Sequence, residues 1–340
     1  MKKIGILGGT FNPIHEGHIY LAKQAITKLG LDEVLLIPNR VSPFRTSEEI
    51  VDYDKRFKMC EIAVANEKQI FVSDVEKNLP MPSYTINTIE ELKKGNDNSY
   101  YLLIGDDQAT KFTEWKDYDK ILELVEVAVF LRNESTLDLD YNYTKVQCDL
   151  HPASATDIRN GNFLYLNNNV KDYILQNELY IHEIVRSHMS QRRYEHSLSV
   201  QKVSIELAKL HNLSVYKASL AALLHDICKE MDKELTAQYM ELEDETARSL
   251  HPNVHHQFVG ARYVEEKLQI QDTDILDAIR YHTTGGLDNP YVYILFIADK
   301  IEPSRGYDAT QEMELAKIDL KTAYDFVKCK QQAFIGKESK

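Results

Sequence analysis

Cysteine is scarce: the 340 residues hold four, Cys60, Cys148, Cys228 and Cys329, and none forms a C-x-x-C pair. That spacing argues against a disulfide framework or a thiolate zinc site and suits a reducing compartment. Long hydrophobic runs are also missing. The longest, Tyr291 to Ala298, falls far short of the ~20 residues that span a bilayer, and Met1-Lys2-Lys3 leads into no signal-peptide core. A cytoplasmic protein without membrane attachment is expected. Basic excess is absent too: 40 Lys and Arg stand against 53 Asp and Glu, with both halves acidic. Nucleic-acid binding through phosphate neutralisation is therefore disfavoured, although a local cationic pocket for a nucleotide is not. Thirteen glycines and nine prolines are too few for a linker-dominated chain, and no internal repeat or low-complexity segment occurs. Tryptophan appears once, at Trp115.

What is present is a length of about two domains at roughly 150 residues each, with 43% hydrophobic residues to build their cores. Histidine marks the division. His15, His18 and His151 stand alone in the first 181 residues, and the other nine lie between His182 and His282. The first half alternates apolar runs (Ile4–Leu7, Val34–Ile37, Ile70–Val72, Tyr100–Ile104, Val125–Leu131) with amphipathic stretches such as Ile19–Leu29, Lys55–Ala65 and Thr85–Lys94. Strands alternating with helices predict an α/β domain with a parallel, Rossmann-like sheet covered on both faces. The second half carries almost no strand signal and reads as an all-α domain. The boundary falls near 180, giving domains over residues 1–180 and 181–340.

The first strand runs into Gly8-Gly9-Thr10-Phe11-Asn12-Pro13-Ile14-His15-Glu16-Gly17-His18, and a helix follows, closed by Gly30. Glycines after a strand let the backbone approach an anion, and the next helix turns its amides and positive dipole end towards it. Neither G-x-G-x-x-G nor the P-loop pattern is present. Further on, Ser154-Ala155-Thr156-Asp157-Ile158-Arg159 predicts a helix capped by Ser154, with Thr156 and Arg159 as further phosphate contacts.

The first string resembles the nucleotidyltransferase superfamily with its [HT]-x-G-H signature. The resemblance implies Mg-ATP as substrate complex, His15 and His18 as catalytic contacts to its phosphates, and Gly8, Gly9, Thr10 and Phe11 beside them. Ser154, Thr156 and Arg159 match the family's S-S-T-x-I-R element, with Ala155 in place of the second Ser. Ser83-Tyr84-Thr85-Ile86-Asn87-Thr88, Gly105-Asp106-Asp107 and Phe112-x-x-Trp115 resemble the nicotinate mononucleotide adenylyltransferases. This implies amides at Tyr84 and Thr85 for the pyridine carboxylate, Trp115 as a stacking face, and Gly105 and Asp107 nearby. Where the family often carries P-P-H-K, this chain has Ser42-Pro43-Phe44-Arg45; Arg45 keeps a cation and Phe44 removes a donor.

In the second half, polar residues recur on apolar segments. His196 shares a helical stripe with Val200, Val203, Leu207 and Leu210; Ala221–Leu224 leads into His225-Asp226, placed inside the same apolar helix; His256 precedes Gly260-Ala261; His282 and Asp299 follow. Buried groups of this kind are costly unless they share a partner, and imidazole with carboxylate suits iron, manganese, zinc or cobalt. On a helix the adjacent His225 and Asp226 would point about 100° apart, which suits one ligand per metal or a bridging Asp226 in a dinuclear site, and His255 is an alternative to His256. The order H…H-D…H…H…D resembles the HD phosphohydrolases. Arg193–His196, Leu223–Lys229, His256–Ala261, Arg280–Gly285 and Ala298–Arg305 match a bacterial branch that cuts diadenosine tetraphosphate symmetrically into two ADP. The resemblance implies His196, His225, Asp226, His256, His282 and Asp299 as ligands of a dinuclear transition-metal centre, iron first, with Asp226 catalytic and Lys229 and Arg305 holding polyphosphate.

A bifunctional enzyme follows, using ATP, nicotinate mononucleotide and diadenosine tetraphosphate. Its alternatives are an adenylyltransferase for another acceptor, such as phosphopantetheine, joined to an HD domain acting on another nucleotide, or to a nucleotide-sensing HD domain without turnover. A class I tRNA synthetase is disfavoured, since no K-M-S-K-S element appears. Oligomeric state is not legible.

Overall fold

The computed structural model describes residues 1–41, 50–132, 137–149 and 151–338. Arg45 lies outside them. The chain forms two compact units, Met1–Ile158 with Tyr165–Tyr173, and Arg159–Leu164 with Ile174–Lys340.

The first unit is built on six strands: β1 (Lys3–Gly9), β2 (Glu33–Pro38), β3 (Ile70–Val72), β4 (Ser99–Gly105), β5 (Glu126–Arg132) and β6 (Thr144–Cys148). Every pairing is parallel, in the order β3-β2-β1-β4-β5-β6. Apolar runs form the central strands because both faces are covered: Ile6, Leu36, Leu102 and Val129 are all buried. The sequence reading missed β6. Thr144-Lys145-Val146-Gln147-Cys148 alternates polar and apolar residues at the sheet edge, where one side of the strand needs no apolar cover. The helix after β1 spans Glu16–Leu29 and ends on Gly30 at φ 60°, the left-handed conformation glycine adopts without strain. Chain order reverses between β1 and β4, so the crevice beyond their C-terminal ends is the switch point where such sheets receive ligands.

The second unit is helical throughout its described residues. Its centre is the helix Pro290–Ile301, apolar on all sides and buried from Tyr291 to Asp299. Asn289 caps it, accepting from the Tyr291 amide at 2.8 Å, with Pro290 in the first turn. Around it pack the helices Gln191–Leu210, Val215–Leu224, Thr273–Tyr281 and Leu320–Glu338. Val200, Val203 and Leu207 are buried as the His196 stripe predicts, whereas Leu210, at the helix end, is half exposed. No helix among the described residues is long and apolar enough to cross a membrane.

Candidate functional site

In the first unit the sequence-derived residues gather at C-terminal strand ends. Gly8 and Gly9 close β1, Gly105 closes β4, and Ser154 follows β6. A Cβ added at Gly8 would meet nothing within 4 Å, so that backbone is open to a ligand. At Gly105 a Cβ would lie 2.8 Å from Asp107 Oδ1, so glycine lets the Asp107 carboxylate fold back over the strand end. Phe11 holds φ 46°, an uncommon value for a side-chain-bearing residue, in the turn that carries the chain to the histidines.

His15 and His18 stack with ring centroids 3.8 Å apart, and Phe11 packs edge-on against His18 at 4.9 Å. The His15 amide donates to His18 Nδ1 at 3.2 Å, which places the His18 proton on Nε2. Burial pushes His15 down to about 4, helped by His151, and holds His18 well below its ordinary value, with His15 adding to the effect. Both rings are therefore neutral donors near pH 7, and His15 Nδ1 is a buried atom without a hydrogen-bond partner. Gly17 is required locally, because a Cβ there would approach His15 Nδ1 to 3.0 Å.

Arg56, which sequence reasoning missed, stands behind this loop. It is 1% exposed and donates to the carbonyls of Thr10 (2.5 Å), Val51 (2.7 Å) and Asn39 (2.8 Å). Thr10 Oγ1 also accepts from Asn39 Nδ2 at 3.4 Å. One cation inside an amphipathic helix carries no sequence signal that distinguishes it from a surface arginine.

Tyr84 caps the helix Thr85–Lys93, whose first turn holds Thr85, and Lys116 Nζ lies 4.6 Å from the Tyr84 ring centroid. Trp115 is half buried, 5.3 Å from the buried Phe112 ring. The Asp157 amide donates to Ser154 Oγ at 3.3 Å, as the capping pattern predicts, and Thr156 lies within the helix Ala155–Arg159. Arg159, its last residue, falls in the second unit.

In the second unit the six ligand-type residues converge, each on a helix or just beyond a helix end. His225 and Asp226 correct the sequence expectation: the helix Val215–Leu224 stops before them, and His225 caps it. Both side chains are buried there. Asp226 Oδ1 lies 3.3 Å from His256 Nε2 and 3.7 Å from His282 Nε2; Asp226 Oδ2 lies 3.7 Å from His225 Nε2. Asp299 Oδ1 lies 3.1 Å from His196 Nε2 and 3.9 Å from His225 Nε2. Among the described residues, two groups with ligand atoms within 4.8 Å of one another result, His196-His225-Asp226 and Asp226-His256-His282; Asp226 belongs to both, and Asp299 joins the cluster through its contacts to His196 and His225 without belonging to either.

The imidazoles are oriented for coordination. His225 Nδ1 donates to Ala222 O and His282 Nδ1 to Ile279 O, both at 2.7 Å, so their Nε2 lone pairs face the centre. His196 Nδ1 meets the buried carboxylate of Glu302 at 3.0 Å. Burial pushes His225 and His256 down to about 4, and His225 Nε2 is buried with no hydrogen-bond partner. A neutral, oriented, unpartnered nitrogen beside two carboxylates fits a divalent transition ion. Burial alone would raise Asp226 and Asp299. The facing histidines outweigh it at Asp226, and Lys300, His196, His225 and Arg305 at Asp299, holding both well below the usual carboxylate range.

Cations ring the centre. Arg193 donates to Asp226 Oδ2 and Arg305 to Asp299 Oδ1, each at 2.6 Å; Lys229 Nζ lies 3.0 Å from His256 Nδ1. His255 Nε2 instead meets Leu250 O at 2.9 Å, outside both groups. Glu302 was not singled out from the sequence, although it sits in the same Ala298–Arg305 motif.

The cytidylyltransferase-like family model matches residues 6–161 and the HD domain model matches residues 193–304. A probable nicotinate-nucleotide adenylyltransferase/Ap4A hydrolase of Mycoplasma genitalium is 28% identical over 95% of this chain and 96% of its own length. Its counterpart in Mycoplasma pneumoniae is 26% identical over 94% and 96%. A probable nicotinate-nucleotide adenylyltransferase of Lactococcus lactis subsp. lactis is 32% identical over 53% of this chain and 95% of its own length. The chain belongs to the nicotinate-nucleotide adenylyltransferase family and carries an HD domain behind that half.

Proposed function

We propose a cytoplasmic bifunctional enzyme. Residues 1–180 transfer the adenylyl group of Mg-ATP to nicotinate mononucleotide, and residues 181–340 hydrolyse diadenosine tetraphosphate to two ADP. The observation that carries this reading is the pairing, in one chain, of a neutral histidine couple at a sheet switch point with a six-residue imidazole–carboxylate centre. The relatives that span both halves bear both activities in their names.

In adenylyl transfer, a phosphate oxygen of the mononucleotide attacks the α-phosphorus of ATP while the bond to the α–β bridging oxygen breaks and pyrophosphate leaves. His18 Nε2–H and His15 donate to phosphate oxygens as charge develops, with Gly8, Gly9, Thr10 and Phe11 framing the phosphates. Ser154, Thr156, Arg159 and Arg45 are assigned to the same nucleotide. Tyr84, Thr85, Gly105, Asp107 and Trp115 receive the pyridine ring and its carboxylate.

In hydrolysis, His196, His225, Asp226, His256, His282 and Asp299 would hold two divalent transition ions, iron first. When bound, the ions supply the positive charge that lets a water act near neutral pH and that offsets charge on the phosphates. Lys229 and Arg305 hold flanking phosphates; a water oxygen bonds to one of the two central phosphorus atoms while the bond from that atom to the central bridging oxygen breaks, and the bridging oxygen leaves with the other ADP.

Incubating the full chain with ATP plus nicotinate mononucleotide, and separately with diadenosine tetraphosphate and each metal, tests the proposal by product identity. Deamido-NAD with pyrophosphate, and ADP alone, are expected. ATP plus AMP from the tetraphosphate, or no adenylylated mononucleotide, overturns the corresponding half.

A further inference from the structure

The groove that holds the six-residue centre has a volume of about 1360 Å³. That exceeds the roughly 300–1,000 Å³ of an ordinary small-molecule pocket, so it offers room beyond the ligand set. Its extra wall comes from residues after 304, where the HD family match ends. Val327, Lys330, Gln331 and Phe334 line it at three- and four-residue intervals, which puts them on one face of the helix Leu320–Glu338.

That face is fixed against the centre. Gln331 Nε2 donates to the carbonyl of Thr283, the residue after His282, at 3.3 Å. The Tyr324 hydroxyl accepts from the Gly286 amide at 2.7 Å. A Cβ at Gly285, which has φ 60°, would lie 2.1 Å from that hydroxyl, so glycine is what admits the clasp. Lys330 is held by the buried Glu312 at 2.6 Å.

Two aromatic rings on this wall face solvent. Phe334 is 63% exposed and Tyr307 50% exposed. Tyr307 is nonetheless anchored, its hydroxyl donating to Lys300 O at 2.6 Å, so the ring is already ordered before anything stacks on it. Large rings left in water inside a groove lined mainly by polar and charged residues point to a ligand with a flat apolar part. Lys229, Lys300, Arg305 and Lys330 line the same groove and suit the anionic remainder of such a ligand. A polyphosphate chain ending in a base has both parts.

We propose that Tyr307 and Phe334, with Lys330, form the subsite for one purine nucleoside end of the polyphosphate substrate. The proposal rests on reading the centre as a dinucleoside polyphosphate hydrolase, and it supplies what a symmetrical cut requires: a hold on a nucleoside beyond the cleaved bond. Base–aromatic stacking is worth roughly 1–3 kcal/mol by alanine substitution, which is about 5- to 100-fold in affinity.

The test is calorimetric binding of ADP and of inorganic diphosphate to the metal-loaded full chain. In Phe334→Ala and in Tyr307→Ala the ADP dissociation constant should rise about 5- to 100-fold, with diphosphate affinity kept within about twofold and Phe334→Trp retaining ADP. ADP affinity unchanged in both alanine variants overturns the subsite; so does an equal loss for diphosphate, which would mean a displaced metal centre. Wild-type protein that binds ADP in this aromatic-dependent way but leaves diadenosine tetraphosphate intact would sink the hydrolase assignment instead.

Discussion

Gly17 and His15 share a space that one methyl group would fill. A Cβ at residue 17 would lie 3.0 Å from His15 Nδ1 and 3.1 Å from Cε1, and the ring is already stacked on His18. The middle glycine of the H-x-G-H string is thus explained by the seating of its first histidine. Gly17→Ala should displace that ring and lower kcat of adenylyl transfer about 10²-fold, as a misplacement on the ångström scale does. Diadenosine tetraphosphate hydrolysis serves as the internal control and should not change. Full transfer activity in this variant would show that His15 has room to yield.

His18 should matter more. With its proton on Nε2 and its charge suppressed by burial, it acts as a preorganised neutral donor. His18→Ala is expected to reduce kcat by roughly 10²–10³, the range for removing one such donor. Steady-state assays that find kcat intact would assign the phosphate contact elsewhere.

The same burial predicts acid sensitivity. Burial pushes His15 down to about 4 in the folded chain and holds His18 well below its ordinary value, whereas an unfolded imidazole titrates near 6.5. Below about 6.5 the unfolded chain therefore binds protons that the folded chain does not, so stability falls as pH drops from there towards 4. Above 6.5 the two groups contribute no slope. Thermal melting of wild type and His18→Asn between pH 7.5 and 5 reads this directly. The variant should lose less Tm on acidification; an equal loss would place the sensitivity in other groups.

Ring selectivity follows if the amides at Tyr84 and Thr85 receive the carboxylate as proposed. Backbone donors facing a carboxylate are satisfied, whereas the amide of nicotinamide mononucleotide brings its own donor against them and leaves groups unpaired. Nicotinate mononucleotide should show the higher kcat/KM, and equal values for the two acceptors would refute the arrangement.

At the metal centre, Glu302 orients His196 through Nδ1 while also accepting from the Ser304 amide at 2.7 Å. Glu302→Gln should weaken metal affinity by about 10- to 100-fold, the usual cost of losing an outer partner of a ligating histidine. Asp226→Ala, which removes the residue common to both ligand groups, should abolish metal retention and hydrolysis while adenylyl transfer persists. Metal content by elemental analysis separates the two variants; retention of two ions by Asp226→Ala would disprove the shared-ligand geometry.

Much of this was legible in sequence because the chemistry is written in compact strings. Gly8–His18 lies on one strand-to-helix turn, and polar residues such as His225 and Asp299 stand out against apolar neighbours. What escaped is what depends on tertiary position. The β6 strand carries edge polarity, so its alternation looks like loop. Arg56 acts through backbone carbonyls that no pattern announces. The aromatic wall at Tyr307 and Phe334 needs a helix brought back beside the centre, and nothing at positions 320–338 encodes where that face will rest.

The partition of the chain has a practical consequence for dissecting it. Residues 159–164 belong to the second unit, yet the chain returns to the first for Tyr165–Tyr173 before leaving again. In the first unit the amide of Glu16, next to the histidine pair, donates to Tyr165 O at 3.1 Å; in the second the Phe163 amide donates to Lys267 O at 2.8 Å. No single cut therefore yields both halves whole. A chain ended at Ile158 forfeits the Tyr165 carbonyl beside its histidines, and one begun at Ile174 forfeits the Phe163 tie, so the two activities are inherited together through residues 159–173, of which each half would need a copy.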